Sequence, residues 1–169
     1  MLVPFESLPG NSRIWVYQAN RKYNSVEADI ISQELSSFIA QWEVHGQPMK
    51  ASFKLFHNQF IVLAADEDYN ASSGCSIDGS VRSLKQLGNN LNIDFFDRNS
   101  VAFKNKDEIF LIPMSQLKQA LTSGKWNQTT LMFNNVVACK TEVETNWITA
   151  AGKTWLNRYL PDEVVGVKQ

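Results

Sequence analysis

The chain has 169 residues, with 16 Lys+Arg against 17 Asp+Glu and a formal net charge of -1. This length suits one domain, or one domain with a small appendage. The 44% apolar content is too rich for a disordered chain, and the near-zero charge argues against a sequence-independent nucleic-acid binder, which needs a basic field against phosphates. Residues 1–85 carry 7 Lys/Arg and 9 Asp/Glu and residues 86–169 carry 9 and 8, so charge is spread evenly along the sequence. The first basic residue is Arg13, and two prolines occur by position 9, which does not fit a secretory leader. The longest apolar run, Phe60 to Ala65, is far short of a membrane span. Two cysteines, Cys75 and Cys139, are too few for a disulfide framework. A cytoplasmic protein with reduced thiols is expected.

In chain order, Arg13-Ile-Trp-Val-Tyr-Gln alternates as a strand, with Ile14 and Val16 on one face and Trp15 and Tyr17 on the other. Asn24 and Glu27 have capping-box spacing. Ile31, Leu35, Phe38 and Trp42 then recur along one helical face, and Gly46 and Pro48 predict the helix end. Ala51 to Phe56 and Phe60 to Ala65 read as a hairpin turning at His57-Asn58-Gln59. A polar loop over 66–74 precedes a second helix with Ile77, Val81, Leu84 and Leu91 on one face. Ser100 to Ile112 reads as a hairpin turning at Asn105-Lys106. This order, strand–helix–strand–strand–helix–strand, predicts an α+β fold. Specifically, it predicts an antiparallel sheet with two helices on one face in ferredoxin-like βαββαβ order, over residues 1–112. Residues 113–169 form a small C-terminal α/β appendage: a short helix capped by Ser115 and ended by Gly124, a β segment over 130–139, and a closing stretch with Trp147, Trp155 and Tyr159. The body and appendage could also form one integrated domain. In a ferredoxin-like sheet the face away from the helices is open, and Trp15, Tyr17 and Phe56 raise the question of what covers it. The aromatic C-terminal segment or a second subunit is the expected cover.

Ala71-Ser-Ser-Gly-Cys-Ser-Ile-Asp carries the main chemical candidates. Free N–H groups at a helix start attract anions, so Ser73, Gly74, Ser76 and Asp78 are candidate ligand-binding positions. A thiol there would be acidified, which makes Cys75 a candidate nucleophile with His45, or less readily His57, as its base. The competing reading has Ser76 as an N-cap, Asp78 opposite the helix dipole, Cys75 as a small buried side chain, and His45 against the last carbonyls of the first helix. Asp66, Glu67 and Asp68, and Asp94 with Asp97, permit a cation site without indicating one, and the two histidines and two cysteines make no zinc pattern. No cofactor is implied. Ala151-Gly152-Lys153-Thr154 ends like a P-loop, but the glycine required five residues earlier is replaced by Trp147.

Trp15-Val-Tyr-Gln-Ala-Asn-Arg, Trp42-Glu-Val-His-Gly, Phe60-Ile-Val-Leu-Ala-Ala-Asp-Glu, Ser73-Gly-Cys-Ser-Ile-Asp, Phe96-Asp-Arg and Phe133-Asn-Asn together resemble a family of small uncharacterised Bacteroidetes proteins, over nearly the whole chain. Members of that family often bear the automated label "ABC transporter ATPase". The resemblance brings no catalytic residue with it, and the label implies a P-loop, a signature loop and a Walker-B strand that this sequence lacks. Locally, Ile112 to Lys125 followed by Thr129-Thr-Leu-Met-Phe resembles the helix-and-strand portion of GYF-like domains, which implies an interaction role. The function expected is non-catalytic binding of a partner protein, a second copy of the chain, or a small anion. The alternative is a thiol-dependent enzyme or redox-sensing protein using Cys75.

Overall fold

The computed structural model describes residues 1–70 and 74–162, with the backbone alone at 74–76. The fold is α+β, and the chain divides into two compact units. Unit 1 is Met1–Arg98 with Asn135–Asn146; unit 2 is Asn99–Asn134 with Trp147–Gln169. The boundary expected at 112/113 therefore falls inside unit 2, and a stretch expected in the appendage returns to unit 1.

Unit 1 holds β1 (Arg13–Gln18), α1 (Ser25–Gln41), β2 (Glu43–Val44), β3 (Gln47–Pro48), β4 (Ala51–Phe56), β5 (Phe60–Ala65) and α2 (Gly74–Leu91). The order β1-β5-β4 is antiparallel at both pairings, so β1 and β4 run parallel with β5 between them. This is the split βαβ arrangement, and three of the four expected strands take the expected places. The fourth does not. The strand at Ser100–Asn105 pairs in unit 2, and the outer edge of β1 is met by other chain: Ile14 N–H donates to the Ala138 carbonyl (2.9 Å), and Asp97 N–H to that of Gln18 (3.2 Å).

Asn24 accepts from Glu27 N–H while Glu27 accepts from Asn24 N–H, which completes the capping box and starts α1 where the sequence predicts. The helix stops earlier than expected, at Gln41. His45 and Gly46 are not its C-terminal cap but the tip of the β2–β3 hairpin, with φ of 52° and 74°. Both residues of such a tip need positive φ, for which glycine is suited and histidine is tolerated. Ile31, Leu35 and Ile39 of α1 and Leu84 and Leu87 of α2 pack with Tyr17, Ile61 and Leu63 in one core, so both helices cover the same sheet face. Trp15 also belongs to that core, 6.1 Å from Trp42 between ring centroids. Trp15 and Tyr17 thus lie under the helices rather than on an open face. Trp147, Trp155 and Tyr159, the expected cover, pack instead within unit 2, where Trp147 meets Phe133 and Trp155 meets Tyr159.

Two tyrosines are sunk into unit 1. Tyr23 is 2% exposed and donates to the Phe60 carbonyl (2.8 Å), and Tyr17 shares a hydrogen bond with Ser80. Burial raises the pKa of both above the ordinary 10.0, with the Ser80 bond working slightly against this at Tyr17. A raised acid stays protonated in the fold while the unfolded chain ionises. Stability is therefore full below pH 10 and is lost as pH rises beyond it, by about 1.4 kcal/mol per pH unit for each tyrosine. Urea unfolding between pH 9 and 11.5 should show this decline, and Tyr23→Phe should make it shallower. An equal slope in the variant would exclude Tyr23 as a source.

Unit 2 holds β6 (Ser100–Asn105), β7 (Glu108–Pro113), α3 (Leu117–Thr122), β8 (Leu131–Phe133) and β9 (Ile148–Ala150), with the antiparallel sheet order β7-β6-β8-β9. Its core gathers Phe103, Ile112, Leu117, Ala120, Trp126, Met132 and Leu156. Trp126 Nε1–H donates to the Leu117 carbonyl (2.8 Å), which ties α3 to the loop that follows it. In chain order α4 (Lys140–Thr145) falls between β8 and β9, yet it belongs to unit 1. Among the described residues, no helix is long and apolar enough to cross a membrane.

Candidate functional site: an open strand edge beside a helix

The sites expected from sequence do not assemble into one constellation among the described residues. Ser73 and the side chains of Cys75 and Ser76 lie outside them, so the proposed thiol is not placed. Gly74 opens α2, and Asp78 is exposed on it. His45 is exposed at a hairpin tip rather than seated on helix carbonyls, and His57 is exposed at the β4–β5 turn with φ of 56°. The acidic residues have structural partners. Asp66 accepts from the N–H groups of Asp68 and Tyr69 and pairs with Lys50, Glu67 pairs with Arg13, Asp68 accepts from Asn11, and Asp94 accepts from Phe96 N–H. In the Gly-Lys-Thr segment, the N–H groups of Ala151, Gly152 and Thr154 donate to the carbonyls of Thr130, Gln128 and Ala151. Those donors are already engaged and are not turned to a phosphate.

The feature best suited to binding is one the sequence reading passed over. The β6–β7 hairpin closes with Asn105 opposite Glu108, so Glu108, Phe110 and Ile112 turn their N–H and C=O groups toward β6. Met114 N–H to the Asn99 carbonyl (2.7 Å) continues the same phase. By alternation, the backbone groups of Ile109 and Leu111 point away from the sheet. β7 is a terminal strand, and among the described residues these outward groups have no partner. Pro113 ends the row, having a carbonyl but no N–H.

Beside that edge runs a groove of about 380 Å³, lined by Phe110, Leu111, Pro113, Gln119, Ala120 and Lys125 among others. α3 forms its far wall. Leu117 and Ala120 sit inward at i and i+3, and this leaves Gln116, Gln119 and Ser123 on the wall facing the groove. Two donors and two acceptors on a strand edge, beside a groove with a polar helical wall, are what an added strand requires.

Unit 1 has a second groove of about 410 Å³ along β1, and it is the weaker candidate. The Ile14 N–H and the Gln18 carbonyl are engaged by Ala138 and Asp97, so other chain already lies against both ends of this edge and Val16 is the one residue between them. One residue cannot hold a strand in register; a row of two with a terminating proline can begin to.

No protein-family model matches this chain, and no match was found among curated proteins or solved structures.

A signal for the β7 edge was present in the sequence. Glu108-Ile-Phe-Leu-Ile-Pro is an apolar run of four between a charge and a proline, a strand pattern without the interior charges that usually discourage pairing. What the sequence lacked was any indication that β7 would be terminal.

Proposed function

We propose that the chain is a cytoplasmic, non-catalytic binding module that takes up an extended segment of a partner protein as a fifth strand beside β7. The observation carrying this reading is the outward backbone row at Ile109 and Leu111 on the terminal strand β7, with the groove against α3 beginning at Phe110 and Leu111. Main-chain hydrogen bonds would supply affinity, and the groove would select alternate side chains of the segment. The local likeness to GYF-like interaction domains covers 112–125 and 129–133, which lie in the same unit. A protein partner is preferred to a small anion because the groove offers a strand's geometry rather than convergent donors.

The test uses Leu111→Pro in the full chain. Leu111 N–H points away from β6, so the substitution removes one outward donor without removing a β6–β7 bond. Peptides selected from a displayed random library against the wild-type chain should bind it and lose at least tenfold in affinity for Leu111→Pro. They should also induce hydrogen-exchange protection at Ile109 and Leu111 N–H. Selected peptides that bind both chains equally, or a library that yields no binder, would overturn the reading. A dimer by native mass that Leu111→Pro dissociates would make a second copy of the chain the occupant.

A further inference from the structure

The near-neutral chain is neutral only as a whole. Unit 1 carries 9 Lys/Arg against 13 Asp/Glu, a net of -4; unit 2 carries 7 against 4, a net of +3. The half-and-half division of the sequence conceals this, because residues 135–146 contribute Glu142 and Glu144 to unit 1 while unit 2 begins at Asn99. The β7 groove belongs to the basic unit. Among the described residues no acidic side chain lines it, and the one charged lining residue is Lys125, just past the end of α3. Lys125 is exposed, its N–H is spent on the Ala120 carbonyl, and its ammonium group has no partner among the described residues. The nearest acid on the strand, Glu108, sits at the hairpin tip beside Asp107 and Lys106, outside the groove lining. Gln116 and Gln119 supply neutral donors along the wall, and they can serve carboxylates as readily as amides.

Building on the β7 reading, we propose that the segment taken up is an acidic extended peptide, with a carboxylate set against Lys125. An apolar alternation in the peptide fits the alternating apolar side chains of β7, and flanking acids complement Lys125 and the unit's net charge of +3. A charge at the groove acts on encounter rate as well as on the bound state, so Lys125 favours an acidic segment over a basic one at both stages.

Three acetylated, amidated octapeptides test this. They share one Val/Thr alternating core and carry Glu, Gln or Lys at the flanking positions, and each is titrated into the full chain at low salt. The Glu peptide should bind about fivefold more tightly than the Gln peptide, and the Lys peptide more weakly than either. Lys125→Glu should remove the preference for the Glu peptide and improve the Lys peptide, while Lys125→Gln should only remove the preference. Added salt to 1 M should bring the three together, since exposed charges are screened over a few ångströms there. If the peptides bind alike at low salt and all fail on Leu111→Pro, the acidic proposal is overturned and the strand-addition reading stands. If none binds, both fall. A (dT)12 oligonucleotide that binds, weakens with Lys125→Glu and ignores Leu111→Pro would assign the basic unit to nucleic acid and also overturn the proposal.

Discussion

Lys140→Ala is expected to destabilise unit 1 by about 3 kcal/mol. Lys140 is only 8% exposed, rare for a lysine outside an ion pair. Its Nζ donates to the carbonyls of Leu8 (2.7 Å) and Glu6 (3.1 Å), and it lies 5.8 Å from the centre of the Phe5 ring. A buried ammonium is tolerable because carbonyl oxygens and a ring face replace part of its water. Truncation removes both donors, leaves the Leu8 carbonyl without one, and loses the packing of the stem. Hydrogen bonds from a charged group are worth about 1.5–3 kcal/mol each, and an abandoned buried acceptor costs about 1–3 kcal/mol. The effects overlap, which keeps the total near the lower sum. Lys140→Met preserves the stem and should cost less, about 2 kcal/mol, so the difference between the two variants separates packing from hydrogen bonding. Urea unfolding followed by circular dichroism reads both. A shift below about 0.5 kcal/mol for Lys140→Ala would mean that water replaces the ammonium at no loss. The same contacts hold residues 135–146 to the N-terminal segment, together with Lys140 N–H to the Ser12 carbonyl and Thr141 N–H to that of Gly10. Amide exchange at Lys140 and Thr141 should therefore quicken in the alanine variant before the helices of unit 1 are affected.

The second large effect is a pair of glycine substitutions of opposite sign in one helix. Helix propensity alone says that alanine at either Gly79 or Gly88 of α2 stabilises by up to about 1 kcal/mol. At Gly79 an added Cβ would meet Phe38 Cε2 at 3.5 Å, an ordinary contact, so Gly79→Ala should stabilise by about 0.5–1 kcal/mol. At Gly88 the added Cβ would overlap the Ile93 carbonyl oxygen, with Phe95 also at 3.5 Å. That oxygen is backbone in a turn closed by Ile93 N–H to the Gly88 carbonyl (2.9 Å), and Ile93 and Phe95 are both core residues. The chain cannot move aside without disturbing them. Overpacking of this kind costs about 1–3 kcal/mol and outweighs the propensity gain of up to about 1 kcal/mol, so Gly88→Ala should destabilise by about 1 kcal/mol. Thermal unfolding of both variants is the check; two stabilising substitutions would show that the turn after α2 yields easily.

Much of the local structure could be read from residue order. The Asn24–Glu27 box, the Ile31–Leu35 stripe and the hairpin after Ser100 depend on residues a few positions apart, and each appears at its expected place. His45 marks where local reading failed. A glycine after an apolar helical stripe has the look of a C-terminal cap, but two successive residues at positive φ make a hairpin tip, and only the pairing of Val44 with Gln47 distinguishes them. The candidate site was less legible than the fold. Glu108-Ile-Phe-Leu-Ile-Pro declares a strand, but whether a strand is central or terminal depends on what else comes to pair with it.

The even distribution of charge along the sequence shows the same division of labour. By itself the sequence determined composition, the longer helices and strands between Arg13 and Pro113, and the impossibility of a complete P-loop at Gly152, because these rest on neighbours along the chain. Only the tertiary structure decided that β6 leaves the first sheet, that residues 135–146 return to unit 1, and that the charges consequently separate into -4 and +3. The physical reason is that a strand's hydrogen-bonding edges carry no side-chain identity. Ser100-Val-Ala-Phe-Lys-Asn would suit either sheet, and its partner was settled by competition among distant segments, with Ala138 and Asp97 meeting the edge of β1.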